Sequence, residues 1–210
     1  LFVLGRPGTG KSTAGRLMAQ TAREHGWRAE HIDDYSILYW MYLNDHADRF
    51  HPASAKLDGF EVVDASVLDE ALTILHYRVD FALTRVLDRT KLVIIEFARS
   101  NYQAALERFG EDFLKESYFL FLSSALEECM KRIEQRARHP VYEGDRYISR
   151  RTMEAFYFSD DILATRRMLE TTYELDRQRV RIMRNSSTEE LFLARVRQFV
   201  RSVIHEESGS

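Results

Sequence analysis

The sequence contains few of the residues that cross-link a chain or interrupt its regular structure. Its 210 residues include one cysteine, three prolines and nine glycines. The single cysteine, Cys129, excludes an internal disulfide and is typical of a reducing compartment, so we expect a cytoplasmic location. No linker, internal repeat or low-complexity segment is visible, and the length predicts one domain over residues 1–210.

Long apolar runs and a strong net charge are also missing. No apolar run approaches the roughly 18 residues of a membrane-spanning helix, and no signal peptide is visible, so no membrane partner is expected. The formal net charge is −3, which argues against general electrostatic binding of nucleic acid, so a nucleic acid is expected only as an end substrate. Residues 131–201 nevertheless carry sixteen basic side chains, fifteen of them arginine, against eleven acidic ones. Because arginine suits bidentate phosphate recognition, this part is a candidate source of phosphate ligands.

Predicted strands alternate with helical patterns along the chain. Continuous apolar runs such as KLVIIEF are typical of strands that a parallel sheet buries on both faces. With the intervening helices they predict a single three-layer α/β domain with a five-stranded parallel sheet, whose ligand lies at the carboxyl edge of the strands. The predicted strands are residues 1–4, 27–32, 91–97, 118–122 and 179–183.

Three local predictions concern the connections. Ser66 and Asp69 have the spacing of a capping box, which would open a helix over residues 66–88. Residues 101–110 predict one further helix, closed by a glycine. Residues 46–64 are too long for a plain connection, so they are expected to form a binding loop or part of a substrate-side insertion.

The segment GRPGTGKST, residues 5–13, carries the strongest functional signal. It matches G-x-x-x-x-G-K-[ST] and lies between an apolar strand and a helix, as that motif requires. Its glycines let successive backbone amides face one anion, which the positive end of the following helix also favours. In such a loop the lysine reaches the β- and γ-phosphates and the serine hydroxyl binds Mg²⁺. The predicted nucleotide ligands are Gly5, Gly8, Thr9, Gly10, Lys11, Ser12 and Thr13, with Lys11 also catalytic.

Two carboxylates end the second predicted strand, on the same edge of the sheet as this loop. Asp33 or Asp34 could accept a proton from a hydroxyl acceptor or hold a water bound to Mg²⁺. The structural alternative is that one of them caps the following helix. Both are therefore candidate catalytic residues, and Asp33 and Ser12 are candidate metal ligands.

GRPGTGKST resembles the phosphate-binding loop of the P-loop NTPase superfamily, and later segments resemble its nucleoside and nucleotide kinases. That group includes adenylate kinase and the shikimate, gluconate, zeta-toxin and polynucleotide kinases. The resemblance implies ATP or GTP and Mg²⁺ as cofactors, and a sheet order of 2-3-1-4-5 for the five predicted strands. It also implies a small lid at about residues 137–152 and a helical substrate-side insertion at about residues 35–90.

The segment IIEFARSNYQAAL, residues 94–106, is similar to the third-strand segment of nucleoside monophosphate kinases, D-G-F-P-R-T followed by Q-A. In that family the arginine binds the acceptor phosphate and the glutamine reads the base, so the resemblance implies substrate binding by Glu96, Arg99 and Gln103. The chain departs from the pattern, since glutamate replaces aspartate, Ala98 replaces proline and the glycine is absent. A glutamate here also resembles the zeta-toxin group and, with the arginine nearby, the deoxynucleoside kinases. A buried pair of Glu96 with Arg99 is the structural alternative.

The segment EECMKRIEQRARHP, residues 127–140, resembles the helix that leads into the kinase lid, whose arginines clamp the donor phosphates. The resemblance implies nucleotide binding by Arg132 and Arg138 and a catalytic role for Arg136. The arginines that follow the lid loop, and could close the site from the far side, are Arg146, Arg150 and Arg151.

These observations predict a phosphotransferase that moves the γ-phosphoryl group of ATP to a hydroxyl of a small molecule or nucleotide. Two carboxylates suit a hydroxyl acceptor, which must lose a proton, whereas a phosphate acceptor is already ionised. A nucleoside monophosphate kinase is the first alternative. A regulatory NTPase without an acceptor is the second, although the sequence has no N-K-x-D motif for reading a guanine base. The sequence leaves the acceptor and the oligomeric state open.

Overall fold

The computed structural model describes residues 1–85, 90–142, 144–186 and 188–209. This part of the chain forms seven strands and nine helices. The strands are β1 (Phe2–Leu4), β2 (Arg28–Asp33), β3 (Phe50–Pro52), β4 (Phe60–Val62), β5 (Lys91–Phe97), β6 (Phe119–Ser123) and β7 (Val180–Arg184). The helices are α1 (Lys11–Glu24), α2 (Asp34–Leu43), α3 (Ser66–Thr84), α4 (Tyr102–Glu107), α5 (Glu111–Lys115), α6 (Leu126–Arg138), α7 (Arg150–Tyr157), α8 (Ile162–Thr171) and α9 (Glu189–Ser208).

Five of the strands form one parallel sheet in the order β2-β5-β1-β6-β7. If only these five strands are numbered in chain order, the sheet order is 2-3-1-4-5. The numbers differ because β3 and β4 pair with each other in a separate hairpin. The prediction of a single α/β domain with a five-stranded parallel sheet flanked by helices is confirmed.

The sheet has a hydrophobic cluster on each face, which makes three layers. Successive side chains of a strand point to opposite faces. Phe2 and Leu4 of β1 therefore pack with α2, α3 and α4, whereas Val3 packs between the sheet and helices α1 and α9. No helix within the described ranges is long and apolar enough to cross a membrane.

Residues 46–64 contain the antiparallel β3–β4 hairpin, so they are not a plain connection, as their length predicts. Two of the helix predictions differ from the structure. The capping box is wrong, because the Asp64 carboxylate accepts the hydrogen bond from the Ser66 backbone N–H at 2.9 Å and no side chain caps α3. The helix predicted over residues 101–110 is the shorter helix α4, and Gly110, whose φ is positive, precedes a separate helix, α5, that was not predicted. Helix α3 ends at Thr84, and the rest of its predicted range lies mostly outside the described residues.

The segment between α6 and α7 crosses the carboxyl edge of the sheet and packs on the β3–β4 hairpin. The Tyr147 backbone N–H donates to the Asp58 carbonyl at 2.8 Å, and Arg146 forms an ion pair with the Asp58 carboxylate at 2.8 Å. A Cβ added to Gly59 would lie 2.1 Å from the Tyr147 carbonyl oxygen, so the two backbones are in close contact. The segments predicted as lid and insertion are thus in contact, and both assignments stay predictions.

Candidate active site

A cavity of about 350 Å³ opens at the carboxyl edge of the sheet, a size within the ~300–1,000 Å³ range of ligand pockets. The loop after β1 and the start of α1 form one side of it, and helix α2 with the β3–β4 hairpin forms the other. Tyr142, Gly144, Asp145 and Ile148, from the segment between α6 and α7, also line it. Because all five strands run in parallel, the residues that follow their ends converge on this one place.

The loop of residues 5–10 is folded so tightly that side chains would not fit at its glycines. Gly8 has a φ of 83°, and a Cβ there would lie 2.6 Å from the Cys129 carbonyl oxygen on α6. Gly10 has a φ of 100° and precedes α1, whose start has no side-chain cap and whose first turn has no acidic residue. The positive end of α1 is therefore open to an anion in the cavity.

A lysine, a serine and a glutamate meet at this helix end. The Ser12 hydroxyl donates to Glu96 Oε1 at 2.8 Å, and Lys11 Nζ lies 4.0 Å from the same oxygen. Burial lowers the pKa of Lys11, and the nearby charge of Glu96 opposes that shift. Burial also disfavours ionised Glu96, but its contacts with histidine, lysine and serine outweigh burial and lower its pKa below the ordinary value. The structure thus places Glu96 beside the phosphate-binding loop.

His31 also belongs to this cluster, and the sequence analysis missed it. Its Nε2 lies 2.9 Å from Glu96 Oε2, and because an ionised carboxylate only accepts, the histidine donates. Helix α1 makes room for the ring, since a Cβ at Gly15 would lie 2.5 Å from His31 Nε2. The alternation of side chains along β2 was a usable signal, because His31 shares a face of the strand with Asp33.

The two aspartates after β2 have different surroundings. Asp33 is the N-cap of α2, since its Oδ1 accepts the Ser36 N–H at 2.7 Å, and its side chain also lines the cavity. Burial, and then the charge of Glu96, raise the pKa of Asp33 above the ordinary value. Asp34 also borders the cavity, but its Oδ2 forms a buried ion pair with Arg99 at 2.6 Å. Of the two aspartates, Asp33 is therefore the one that has no basic partner at ion-pair distance within the described chain.

Arg99 and Gln103, which were predicted to bind the acceptor, are not among the described residues that line the cavity. Arg99 is buried and donates to the Asp34 carboxylate and to the carbonyls of Ala98 and Leu68. The Gln103 backbone N–H donates to the Asp161 carboxylate at 3.0 Å, and its side chain is not among the described lining residues. The structure uses both positions in contacts that hold the segment after β5.

The three arginines predicted on α6 have three different positions. Arg136 lines the cavity, and burial lowers its pKa. Arg132 donates to the Gly8 carbonyl at 3.4 Å and to the Asn185 carbonyl at 3.0 Å, so it links the loop of residues 5–10 to the residue that follows β7. Arg138 points outward, with a side chain 61% exposed and paired with Glu134. Of the three, the structure brings only Arg136 to the cavity.

Asn185, which follows β7, is a second residue that the sequence analysis missed. Its Nδ2 donates to the Thr9 carbonyl at 2.9 Å, and its backbone N–H donates to the Ser123 carbonyl. A Cβ at Gly10 would lie 2.8 Å from the same Nδ2. This buried amide fixes the loop just before Lys11, and no local sequence motif marks it.

The parallel sheet, with a glycine-rich loop between its first strand and the first helix, is a P-loop fold. No protein-family model matches the chain, and no curated protein sequence matches it either. Solved structures share its fold. Kti12 of Chaetomium thermophilum, solved in complex with ADP-AlF3, has a TM-score of 0.58 and 18% identity, over 96% of this chain and 96% of that one. A sugar kinase from Janibacter sp. HTCC2649, solved without ligand, has a TM-score of 0.51 and 16% identity, over 95% of this chain and 92% of that one. The likenesses establish a P-loop NTPase fold of the kinase-like type.

Proposed function

We propose that this chain is a Mg²⁺-dependent phosphotransferase that moves the γ-phosphoryl group of ATP or GTP to a hydroxyl group. One observation carries the proposal. Lys11, Ser12 and Glu96 meet at the open N-terminal end of α1, and Asp33 faces the same covered cavity without a basic partner among the described residues. This arrangement supports a reaction in which a bound nucleotide and the Asp33 carboxylate would share one cavity.

The oxygen ligands near the loop fit Mg²⁺ if the nucleotide supplies the rest. Mg²⁺ is held in such sites by one or two carboxylates together with substrate phosphates and water. The described residues contain no group of three or more acidic, histidine or cysteine side chains that could hold a metal alone. Ser12 and Glu96 would hold the ion, and Asp33 would be a further candidate ligand through a bound water. The bound ion would neutralise charge on the phosphates.

The charged side chains then have separate parts in the transfer. Lys11 and Arg136 would bind the migrating phosphoryl group, whose oxygens carry the developing negative charge. Asp33 would accept the hydroxyl proton of the acceptor. Its raised pKa suits this part, because a stronger base takes a proton more readily, provided that it is deprotonated at the working pH. The lid segment over the cavity would exclude water.

A nucleoside monophosphate kinase is disfavoured by the state of Arg99. As a phosphate clamp this guanidinium would have to leave Asp34, which lies 2.6 Å away in a buried pair. Breaking such a pair leaves a buried charge without compensation, which costs about 3–5 kcal/mol. A phosphorylated acceptor therefore meets no free arginine at this position.

An NTPase without an acceptor remains the second candidate, and one contact favours it. Glu96 is held by His31 at 2.9 Å, so in this candidate Glu96 would position an attacking water, and Asp33 would have no acceptor hydroxyl to deprotonate. The fold likeness to Kti12 bound to ADP-AlF3 is compatible with this candidate. Hydrolysis would need the same loop and metal ligands, but it would not depend on an acceptor.

Transfer of label from γ-labelled ATP separates these candidates. The protein is incubated with Mg²⁺ and with pools of nucleosides, nucleotides, sugars and short oligonucleotides, and the label is traced to product or to inorganic phosphate. We expect an acceptor-dependent labelled product that is lost in Asp33→Asn. Phosphate release at the same rate with and without every pool, and no labelled product, would replace transfer with hydrolysis.

A further inference from the structure

His31 ties the carboxylate of Glu96 to strand β2. The two side chains lie on the same face of the sheet, because His31 pairs with Ile94 and Glu96 follows two residues later on β5. His31 Nε2 donates to Glu96 Oε2 at 2.9 Å, and the two side chains are 17% and 7% exposed. Water therefore competes little for this hydrogen bond, and the carboxylate is held from the side of β2.

The other oxygen of the same carboxylate is tied to helix α1. The Ser12 hydroxyl donates to Glu96 Oε1 at 2.8 Å. Donors on two different elements thus hold the two oxygens, so the carboxylate cannot turn or shift without breaking one of the two hydrogen bonds. The proton of the Ser12 hydroxyl is directed to Glu96, which leaves the lone pairs of its oxygen for a metal ion.

Helix α1 is shaped to admit the imidazole ring. A Cβ added to Gly15 would lie 2.5 Å from His31 Nε2 and 2.6 Å from its Cε1, so any side chain at this position would displace the ring. Glycine inside a helix is destabilising relative to alanine. The helix is therefore less stable than it would be with alanine, and the space that the glycine leaves is filled by His31.

A carboxylate that is held on both oxygens favours a small metal ion. Mg²⁺ requires a near-ideal octahedral set of ligands at short distance, whereas Ca²⁺ accepts longer distances and irregular coordination. Selectivity between the two ions therefore depends on how freely the ligands can move. Groups that orient a metal ligand by a hydrogen bond commonly change metal affinity by about 10–100-fold.

We infer that His31 is a positioning residue that makes the phosphate-binding loop selective for Mg²⁺ over Ca²⁺, because it holds the Glu96 carboxylate in one place. The loop motif itself does not include this histidine. The inference rests on the Mg²⁺-dependent nucleotide binding of the proposed function, but not on the transfer step. It applies equally to transfer and to hydrolysis, since both reactions would use the same ion.

Calorimetric binding of a non-hydrolysable ATP analogue in EDTA, in Mg²⁺ and in Ca²⁺ tests the inference without turnover. The ratio of the affinities with and without each ion gives the contribution of that ion. His31→Leu removes the donor, and Gly15→Ala displaces the ring. We expect both variants to lower the Mg²⁺ contribution by about tenfold or more, and the Ca²⁺ contribution much less. The affinity in EDTA should stay at the wild-type value.

Two further variants separate the hydrogen bond from the bulk of the side chain. In His31→Gln the amide nitrogen can donate from nearly the position of Nε2, so the preference for Mg²⁺ should be kept. His205→Leu is the matched control, because His205 is exposed on α9 and should leave both ion contributions unchanged.

The outcomes separate His31 from the proposed function. A selective loss of the Mg²⁺ contribution that His31→Gln restores supports the inference, even if no acceptor is ever labelled, in which case the proposed transfer fails alone. Equal losses with Mg²⁺, with Ca²⁺ and in EDTA would show a merely structural role and overturn the inference. An unchanged Mg²⁺ contribution in both His31→Leu and Gly15→Ala overturns it too and leaves the proposed function standing. A wild type whose affinity does not depend on Mg²⁺ overturns both.

Discussion

Substitution by asparagine should lower the rate of transfer at Asp33 and the stability of the fold at Asp34. In Asp33→Asn the new side-chain oxygen can still accept the Ser36 N–H, and asparagine caps helices about as well as aspartate does, so α2 stays capped. In Asp34→Asn the negative charge beside Arg99 disappears while the guanidinium remains buried. The first change removes a base from the cavity, and the second removes half of an ion pair.

The structure gives the size of the second effect. The Arg99 and Asp34 side chains are 9% and 8% exposed, so water screens their 2.6 Å contact very little. Removing one partner of a buried pair costs about 3–5 kcal/mol. Because the new amide still accepts a hydrogen bond, and Arg99 keeps those to two carbonyls, we expect the lower end, ~3 kcal/mol. For a domain of this size the melting temperature should then fall by about 10 °C.

Thermal unfolding and the rate of phosphoryl transfer at saturating ATP measure the two effects separately. Asp33→Asn should lose about 100-fold or more in kcat and keep its melting temperature. The wild-type kcat should rise with pH through the raised pKa of Asp33, and Asp33→Asn should lose that rise. Wild-type kcat in Asp33→Asn would refute its role as the base, and an unchanged melting temperature in Asp34→Asn would refute the structural role of the ion pair.

Three further predictions concern the loop, the lid and the buried glutamate. Lys11→Ala should lower Mg²⁺-dependent nucleotide turnover by about 100-fold or more with an unchanged circular dichroism spectrum, and near-normal turnover would contradict the P-loop assignment. Hydrogen exchange of residues 144–147 should slow when a non-hydrolysable ATP analogue binds. In Gly59→Ala the exchange should stay fast, because the added Cβ would push the β3–β4 hairpin away from Tyr147. Equal exchange with and without the analogue in the wild type would exclude a closing lid. The folded-state pKa of Glu96 lies below its ordinary 4.5, so the charged form stabilises the fold above that pH and the contribution is lost as the pH falls through the folded pKa. Denaturant unfolding from about pH 6 to about pH 3 should show a smaller acid loss in Glu96→Gln, and parallel profiles would contradict this coupling.

Features that short segments encode could be predicted without the structure. The phosphate-binding loop could be recognised because its glycines, lysine and serine must stand at fixed spacing between a strand and a helix. The three central strands of the sheet, β1, β5 and β6, could be found because a strand buried on both faces is a continuous apolar run. The capping box predicted at Ser66 was wrong because the Asp64 carboxylate, which lies outside that motif, accepts the hydrogen bond from the Ser66 backbone N–H.

The pairing of distant side chains could not be predicted, because it depends on how the strands and helices pack. Ser12 and Glu96 are 84 residues apart in the chain, and they meet because β5 lies beside β1 in the sheet. Asp33 and Asp34 are neighbours with the same chemistry, yet the turn into α2 leaves Asp33 on the cavity and directs Asp34 to Arg99. A local pattern specifies which groups are available at an edge of the sheet, whereas packing across strands and helices determines which charge is neutralised and which is left to act on a ligand.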